Sequence, residues 1–251
     1  MQDFKFSVNR IDDHVERIGV DVRPILEIKL EKTKLFDFAN KLIEEYPMLF
    51  ESTVLSKNEF SMRKKFIFPG KGELDVVTLG VTERGLVLIL PRKVAALEEE
   101  TDLGDTCQIV PGVLKLFREY FPHKHIIRVG QVHEYVFDLG SVDGVRFLAK
   151  QFTKINMPAN GELKIRVNRP TDDYNRIIEM QPVRKVKRMP EIPDTQQVLG
   201  HGLKVSVDFN NRDMSTNLQN SNIMSILYES IEFNKKGLYE FLNRETGGES
   251  E

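Results

Sequence analysis

The side chains that could hold a metal ion are the histidines, of which the chain has five. His123 and His125 would project from the same side of a strand, because alternate residues of a strand face the same way. His133 lies eight residues beyond His125, or roughly 26 Å along an extended strand. One ion cannot join them unless the chain folds back, and there is no second cysteine or suitably spaced glutamate. The spacing therefore predicts no metal site, and no residue pattern indicates a cofactor.

The single cysteine, Cys107, precedes a predicted helix. A helix N-terminus can lower the pKa of a thiol, which favours reactivity. Acidic neighbours at Asp102 and Asp105 oppose thiolate formation, so we interpret Cys107 as a small, half-buried residue. A lone cysteine cannot form an internal disulfide, which is typical of cytosolic or disulfide-independent proteins.

Paired carboxylates occur at Asp12-Asp13 and at Asp172-Asp173. General acid–base catalysis needs carboxyl groups that converge on a cleft and have separated pKa values. Both pairs stand in turn-like sequences, where aspartate bonds to its own backbone. Residues 69–72 and 200–202 also predict turns, because no helix follows these glycines as it does in a phosphate-binding loop. No catalytic residue is predicted.

Two basic stretches give the strongest indication of binding. Residues 63–65 read Arg-Lys-Lys within a predicted strand, and residues 184–188 read Arg-Lys-Val-Lys-Arg at the end of another. If sheet pairing aligned them, they would form a positive stripe for phosphate or an acidic partner. The alternative is a charged, solvated edge strand, in which lysines discourage aggregation. The candidate residues for binding a nucleic acid or an acidic partner are Arg63, Lys64, Lys65, Arg184, Lys185, Lys187 and Arg188.

The composition is that of an ordinary globular protein, with 40% hydrophobic and 29% charged residues in a chain of 251. The formal charge of −2 argues against a dedicated binder of duplex DNA, whose affinity depends on neutralising phosphates. It does not exclude a local basic patch. The first residues lack the apolar region of a signal peptide, and no apolar run approaches the roughly 20 residues that span a bilayer. The expected location is the cytoplasm, with no membrane partner.

The first half of the chain predicts a strand, a helix, three strands and a helix. Apolar and charged residues alternate over 24–30, which is typical of a half-buried strand. Thr33 is a candidate N-cap for a helix that Pro47 ends, and Pro111 suits the first turn of the closing helix. The three intervening strands are expected at 60–68, 74–79 and 86–90, with a hairpin connection at 82–85.

The second half predicts the same order of elements. Asp143 or Ser141 can cap its first helix. Asn234 and Gly237 are expected to break or kink the final helical pattern, which carries apolar residues over 223–242. The strands are expected at 127–137, 163–167, 174–180, with a continuation at 183–186, and 203–209.

This order predicts an α+β fold of two tandem β-α-β-β-β-α units, with antiparallel sheets and helices packed on one side. The repeat is one of element order, because the halves do not align residue by residue, and repetition by chance is the alternative. The predicted division is an N-terminal arm at 1–22, a first α+β unit at 23–122, a second at 123–245 and a disordered tail at 246–251. The two units could also form one domain.

Short stretches of the second half resemble a sporadically distributed prokaryotic family of about this length with no assigned activity. They are Glu119-Tyr120-Phe121-Pro122, Ile127-Arg128-Val129-Gly130, residues 205–209 and residues 227–233. The layout is similar over most of the chain, whereas the N-terminal arm and residues 130–133 depart from it. The resemblance implies a prokaryotic cytosolic accessory protein and no catalytic residues. Families without an assigned activity are often encoded in mobile or defence-related gene neighbourhoods, and by this association we expect a place in a defence (CRISPR-type) or regulatory system.

A well-patterned fold without a recognisable site predicts a non-enzymatic protein that binds another protein through a sheet face, a groove or the C-terminal helix. The first alternative is a nucleic-acid-binding accessory factor that uses the basic stretches. The second is an enzyme with an unfamiliar site, for which His133 or Asp208 would have to line a deep pocket.

Overall fold

Alternating apolar and polar residues build one antiparallel sheet of nine strands in the computed structural model of the chain. The structure describes residues 14–56, 59–68, 72–91, 105–122, 125–153, 155–158, 161–188 and 196–243. The strands are β1 (Val15–Pro24), β2 (Ser52–Leu55), β3 (Glu59–Phe68), β4 (Gly72–Thr82), β5 (Gly85–Pro91), β6 (Ile126–Gly140), β7 (Ile165–Asn168), β8 (Tyr174–Arg188) and β9 (Gln196–Asn211).

The middle of the sheet is the antiparallel pair of β1 and β6. The strand order is β2-β3-β4-β5-β1-β6-β9-β8-β7. Val20 of β1 lies opposite Gln131 of β6 and, on its other side, opposite Leu88 of β5. The two halves of the chain therefore share one sheet, and its short strands β2 and β7 stand at the two ends of that order.

The described helices pack on one face of the sheet, which we call the core face. Phe36 of α1 lies against Phe60 of β3 at a ring-centroid distance of 6.1 Å. A Cβ placed on Gly144 of α3 would lie 2.9 Å from Cβ of Pro182 in β8. One apolar cluster joins these helices to the sheet. The helices are α1 (Lys32–Glu45), α2 (Asp105–Tyr120), α3 (Gly144–Phe152) and α4 (Asn220–Glu232), which continues through a π-helical segment (Phe233–Leu238) into α5 (Tyr239–Leu242).

The predicted α+β class and antiparallel pairing agree with this mixed α/β architecture, but the predicted unit pattern is not confirmed. Four strands, not three, lie between α1 and α2, because the short edge strand β2 is present. The strands also form one sheet instead of separate sheets. A strand as short as β2 carries too little alternation to be recognised in a sequence.

The first strand lies earlier than predicted. β1 covers Val15–Pro24, so most of it lies within the segment 1–22 that was assigned to an N-terminal arm. Residues 25–31, where the first strand was expected, are not a strand. Ile18 is fully buried in β1, while Ile25 and Leu26 are 54% and 59% exposed. Both segments alternate, so alternation alone does not select between them. The neighbouring strands decide between them, because β1 pairs continuously with β5 and β6, whereas Ile25 and Ile28 make single backbone bonds to His125 and Glu83.

The helix ends follow the sequence signals only in part. The ending of α1 before Pro47 and the capping of α3 by Asp143 are confirmed; the Asp143 carboxylate accepts from the Arg146 backbone N–H at 3.0 Å. Thr33 is not an N-cap, because Glu31 occupies that position without a side-chain bond. Pro111 lies inside α2 and not in its first turn. Burial of the apolar face of α2 holds the helix through that proline, whose ring removes one backbone donor.

Strands β6, β8 and β9 lie where they were predicted and are longer, β7 is shorter and begins at Ile165, and one predicted turn is wrong. Residues 200–202 lie within β9, where His201 is opposite Arg184 of β8 and Gly140 of β6. A glycine in a strand permits either a turn or a flat extended segment, and neighbouring strands on both sides impose the second.

The final helical pattern buries its apolar stripe and does not present it to a partner. Ile223, Leu227 and Ile231 are buried against the sheet. The predicted interruption at Asn234 and Gly237 takes the form of the π-helical segment. Such a segment widens one helical turn and redirects the side chains that follow it.

Some predicted features fall outside the described residues. These are the beginning of the N-terminal arm with Asp12 and Asp13, the turn at 69–71, His123 and the tail at 246–251. Within the described ranges, no helix combines the length and apolar composition needed to cross a bilayer.

We expect Gly237→Ala to destabilise the protein, although this change stabilises an ordinary helix by about 1 kcal/mol. A Cβ at residue 237 would lie 2.6 Å from Cδ2 of the buried Phe233 ring. The ring also packs on Phe209, so it cannot simply move aside. The expected loss is about 1–3 kcal/mol of unfolding free energy, measured by urea denaturation, with Ser225→Ala on the exposed side of α4 as control. A gain in stability would contradict this account of the π-helical segment.

Candidate interaction surfaces

The face of the sheet opposite the helices, which we call the open face, has small and aliphatic side chains at its centre. In one row across β4, β5, β1 and β6, Gly80, Val87, Asp21 and Gly130 are direct neighbours. In the next row, Gly19 lies between Ile89 of β5 and Val132 of β6. None of the described helices covers this region, and Val87 is 40% exposed. The centre of the open face is therefore built from glycines and aliphatic side chains with Asp21 among them, and it is exposed at Val87.

A groove of about 380 Å³ crosses the open face beside β1. Gly80 and Gly85 are among its lining residues. The missing side chain leaves room at Gly80, whereas a Cβ on Gly85 would lie 2.4 Å from the carbonyl oxygen of Val22. The groove is thus bounded by a close approach between the end of β1 and the start of β5. Its other lining residues are Asp21, Arg23, Glu59, Val77, Thr82, Arg84, Val87 and Ile89.

Charged side chains form ion pairs in and beside this centre, both within β1 and between neighbouring strands. Glu134 of β6 contacts Arg17 of β1 at 2.8 Å and Lys204 of β9 at 3.4 Å. Asp21 contacts Arg23 at 2.8 Å and Arg128 at 3.9 Å. Pairs of this kind at a surface each contribute about 0–1 kcal/mol. Each of the two carboxylates is shared between two cations, so these four cationic and two anionic side chains leave a net positive charge.

The first predicted basic stretch lies in β3 and is already occupied by partners within the chain. Arg63 contacts Asp75 at 3.2 Å, and Lys65 contacts Glu73 at 3.1 Å. The hydrogen bond from Lys65 to Glu73 raises the pKa of that lysine above its usual value. Lys64 projects to the opposite face, where its Nζ donates to the backbone carbonyl of Pro47 at 2.8 Å.

The second basic stretch occupies the end of β8, and the sheet does not bring it beside the first. Five strands lie between β3 and β8, a separation of about 29 Å at about 4.8 Å per strand. Lys185 contacts Asp138 of β6, and this bond lowers the pKa of the Asp138 carboxyl. Arg184 and Lys185 are exposed, and Lys187 and Arg188 follow them in the same strand. The two stretches are separate features and do not form one stripe.

A buried polar cluster joins β6 to the π-helical segment. The hydroxyl of Tyr135 donates to Oδ1 of Asn234 at 2.7 Å. Nδ2 of Asn234 donates to the carbonyl oxygen of Ser230 at 2.7 Å and lies 3.0 Å from Nδ1 of His133. Since an amide nitrogen can only donate, Nδ1 of His133 accepts, and the proton of the neutral ring is on Nε2. His133, Tyr135, Ser230 and Asn234 all have 0% exposure, so the cluster has no contact with solvent or with the groove.

The remaining sequence candidates are dispersed. Cys107 is buried in α2, which agrees with a structural role better than with a reactive thiol. Asp172 and Asp173 occupy the connection between β7 and β8, as predicted for a turn. Asp208 lies on β9 and accepts from Nδ2 of Asn210 at 2.9 Å. In the part of the chain that the structure describes, no three His, Cys, Asp or Glu side chains are grouped as metal ligands.

The groove was not predicted from the sequence. Its lining comes from four strands, and the sequence places Asp21 and Arg23 outside or at the edge of the predicted sheet. The available signal was the alternation of Ile18, Val20 and Val22, which predicts a strand with the intervening residues on the opposite face.

We expect Tyr135→Phe to lower the unfolding free energy by about 1–3 kcal/mol, because the change leaves Oδ1 of Asn234 buried without its donor. Tyr228→Phe, at an exposed site on α4, serves as the matched control and should have little effect. Urea denaturation followed by circular dichroism measures both values. Equal stability of the two variants would show that the buried hydroxyl is not an important contact.

Comparisons with known proteins do not assign the chain to a family. No protein-family model matches it, and a search of curated proteins also finds no match. The geometry of the open face and of the β8 end is therefore the basis for inferring function.

Proposed function

We propose that this chain is a non-enzymatic accessory protein that binds another protein through the open face of its sheet, with the groove as the centre of the contact. The observation that carries the proposal is an aliphatic and glycine-rich centre with shared ion pairs in it and beside it. Binding surfaces between proteins commonly combine an apolar centre with a polar rim. The partner surface should therefore present aliphatic side chains surrounded by charges of both signs.

The ion pairs favour a protein partner over a nucleic acid. Arg63 and Lys65 lie beside Asp75 and Glu73, and these carboxylates would repel a phosphate backbone bound to the two cations. A protein surface can instead extend such pairs with its own charges. Enzymatic function has less support still, because the buried cluster around Asn234 does not open into the groove.

We also propose that the two halves are copies of one β-α-β-β-β-α unit. Strands β5, β4 and β3 follow β1 outward on one side, and β9, β8 and β7 follow β6 outward on the other. In this interpretation β2 is an addition to the first unit, and the open face combines equivalent surfaces from both. Superposition of the two halves tests the proposed duplication. The elements β1, α1, β3–β5 and α2 should superpose on β6, α3, β7–β9 and α4.

The resemblance to a prokaryotic family supports a more specific proposal about biological setting. We propose that the protein acts in the prokaryotic cytoplasm, as part of a defence (CRISPR-type) or regulatory system. The genes that lie beside its own gene test this directly. Neighbours with only housekeeping roles would remove the defence assignment and leave the binding proposal intact.

We expect Val87→Arg to abolish specific partner binding. The new guanidinium would stand in the middle of this centre beside its cross-strand neighbour Asp21, and its long charged side chain would replace the aliphatic contact that a partner makes there. Tagged wild-type and variant chains are compared by affinity capture from cells that encode the protein, with Tyr228→Arg on α4 as a matched control at another exposed site.

The expected result is one or more proteins that are captured by the wild type and by Tyr228→Arg but are depleted about tenfold or more with Val87→Arg. Thermal denaturation confirms that both variants are folded. Failure to recover any stable partner, or equal capture by Val87→Arg, would overturn the proposed role of the open face.

A further inference from the structure

The hairpin of β8 and β9 extends beyond the strands on both of its sides. Pairing of β7 with β8 ends at Met180, and pairing of β6 with β9 ends at His201. Beyond these points, residues 184–188 of β8 and 196–200 of β9 are paired mainly with each other. We call these two segments the β8–β9 arm. In the described part of the chain, no further strand lies beside residues 196–199, because β6 has already turned toward α3 at Gly140.

The arm exposes an aliphatic cluster. Val186 lies directly opposite Val198, so the two side chains are cross-strand neighbours on one face. They are 43% and 45% exposed, and Leu199, at the adjoining irregularity in pairing, is 61% exposed. Aliphatic side chains adjacent on a projecting hairpin are a feature that a binding partner would cover.

The same arm is strongly basic. In the sequence, Val186 is preceded by Arg184 and Lys185 and followed by Lys187 and Arg188. Residues 196–200 contain no acidic side chain. The contact of Lys185 with Asp138 joins two side chains that are 54% and 60% exposed. Such an exposed pair is weak and can exchange for a carboxylate of a partner. The complementary surface is therefore acidic and carries aliphatic side chains.

We propose that the β8–β9 arm binds an acidic, aliphatic segment of another protein, which is added to the arm as an extended strand. A strand beside residues 196–199 would supply backbone hydrogen bonds, while its alternate side chains would meet the aliphatic cluster and the basic residues. This surface is distinct from the groove, so the inference goes beyond the function proposed above.

A protein strand accounts for more of the geometry than the other anionic partners do. Nucleic acid would neutralise the basic residues but would leave the backbone edge of β9 unpaired and the aliphatic cluster without an apolar contact. An anionic bilayer would offer apolar contact but no backbone partners. Only an extended polypeptide satisfies the charges, the aliphatic side chains and the open backbone edge together.

The test measures binding of the full chain to a short fluorescein-labelled peptide in which glutamate and valine alternate. The variants are Arg184→Glu with Lys185→Glu, and Val186→Ser with Val198→Ser. The control is Lys32→Glu with Lys34→Glu, which reverses two exposed charges at the start of α1. Comparison probes are a lysine–valine peptide, a single-stranded oligothymidylate and phosphatidylserine vesicles. Circular dichroism verifies the folding of every variant.

We expect the acidic peptide to bind the wild type and the control equally, and to bind each arm variant about tenfold more weakly. Added salt should weaken binding, and bound peptide should slow amide hydrogen exchange at residues 196–199. The proposal would be overturned if the acidic peptide did not bind detectably at millimolar concentration, or if the arm variants bound it as tightly as the wild type does. It would also be overturned if bound peptide left amide hydrogen exchange at residues 196–199 unchanged. Preference of the arm for oligothymidylate or vesicles over the acidic peptide would also overturn it. None of these readouts involves Val87, so this inference and the role of the groove succeed or fail separately.

Discussion

The antiparallel pairing of β1 with β6 is the interaction on which the rest of the structure depends. It joins the first strand of one half of the chain to the first strand of the other half, and β5 and β9 add to the outer edges of this pair. Ile18, Val20 and Val22 of β1 are buried, and the opposing residues Gln131 and His133 of β6 have no exposure. Without this pair, the two halves would have separate sheets with unprotected edges, which is an unfavourable arrangement for backbone donors and acceptors.

The two faces of the sheet satisfy different physical requirements. The core face is covered by helices and is almost entirely apolar, so burial of hydrocarbon stabilises it. The open face has no described helix over it, and its strands carry ion pairs, short side chains and glycines instead. The helices of the molecule itself occupy the core face. A partner is therefore expected to bind the open face or the β8–β9 arm.

The buried cluster around Asn234 shows how a polar feature can be structural. Tyr135, His133 and the carbonyl of Ser230 all bond the amide of Asn234, so the side chain has partners for its oxygen and for both of its N–H groups. The cluster attaches the π-helical segment to β6 at one register. A buried histidine and tyrosine in a sequence invite a catalytic interpretation. Here their neighbours and complete enclosure favour an architectural one.

The sequence by itself determined which segments are strands or helices over most of the chain, because periodicity follows directly from which residues are apolar. It predicted β3, β5, β6 and β9 and the capping by Asp143. It could not select β1 over residues 25–31, recognise the short strand β2 or exclude a turn at 200–202, since those depend on which neighbouring strand supplies hydrogen bonds. Tertiary structure alone decided that Arg63 and Lys65 meet Asp75 and Glu73, and that the second basic stretch lies at a projecting hairpin. The physical reason is that spatial neighbours across a sheet are set by strand order, and strand order depends on the packing of the whole chain.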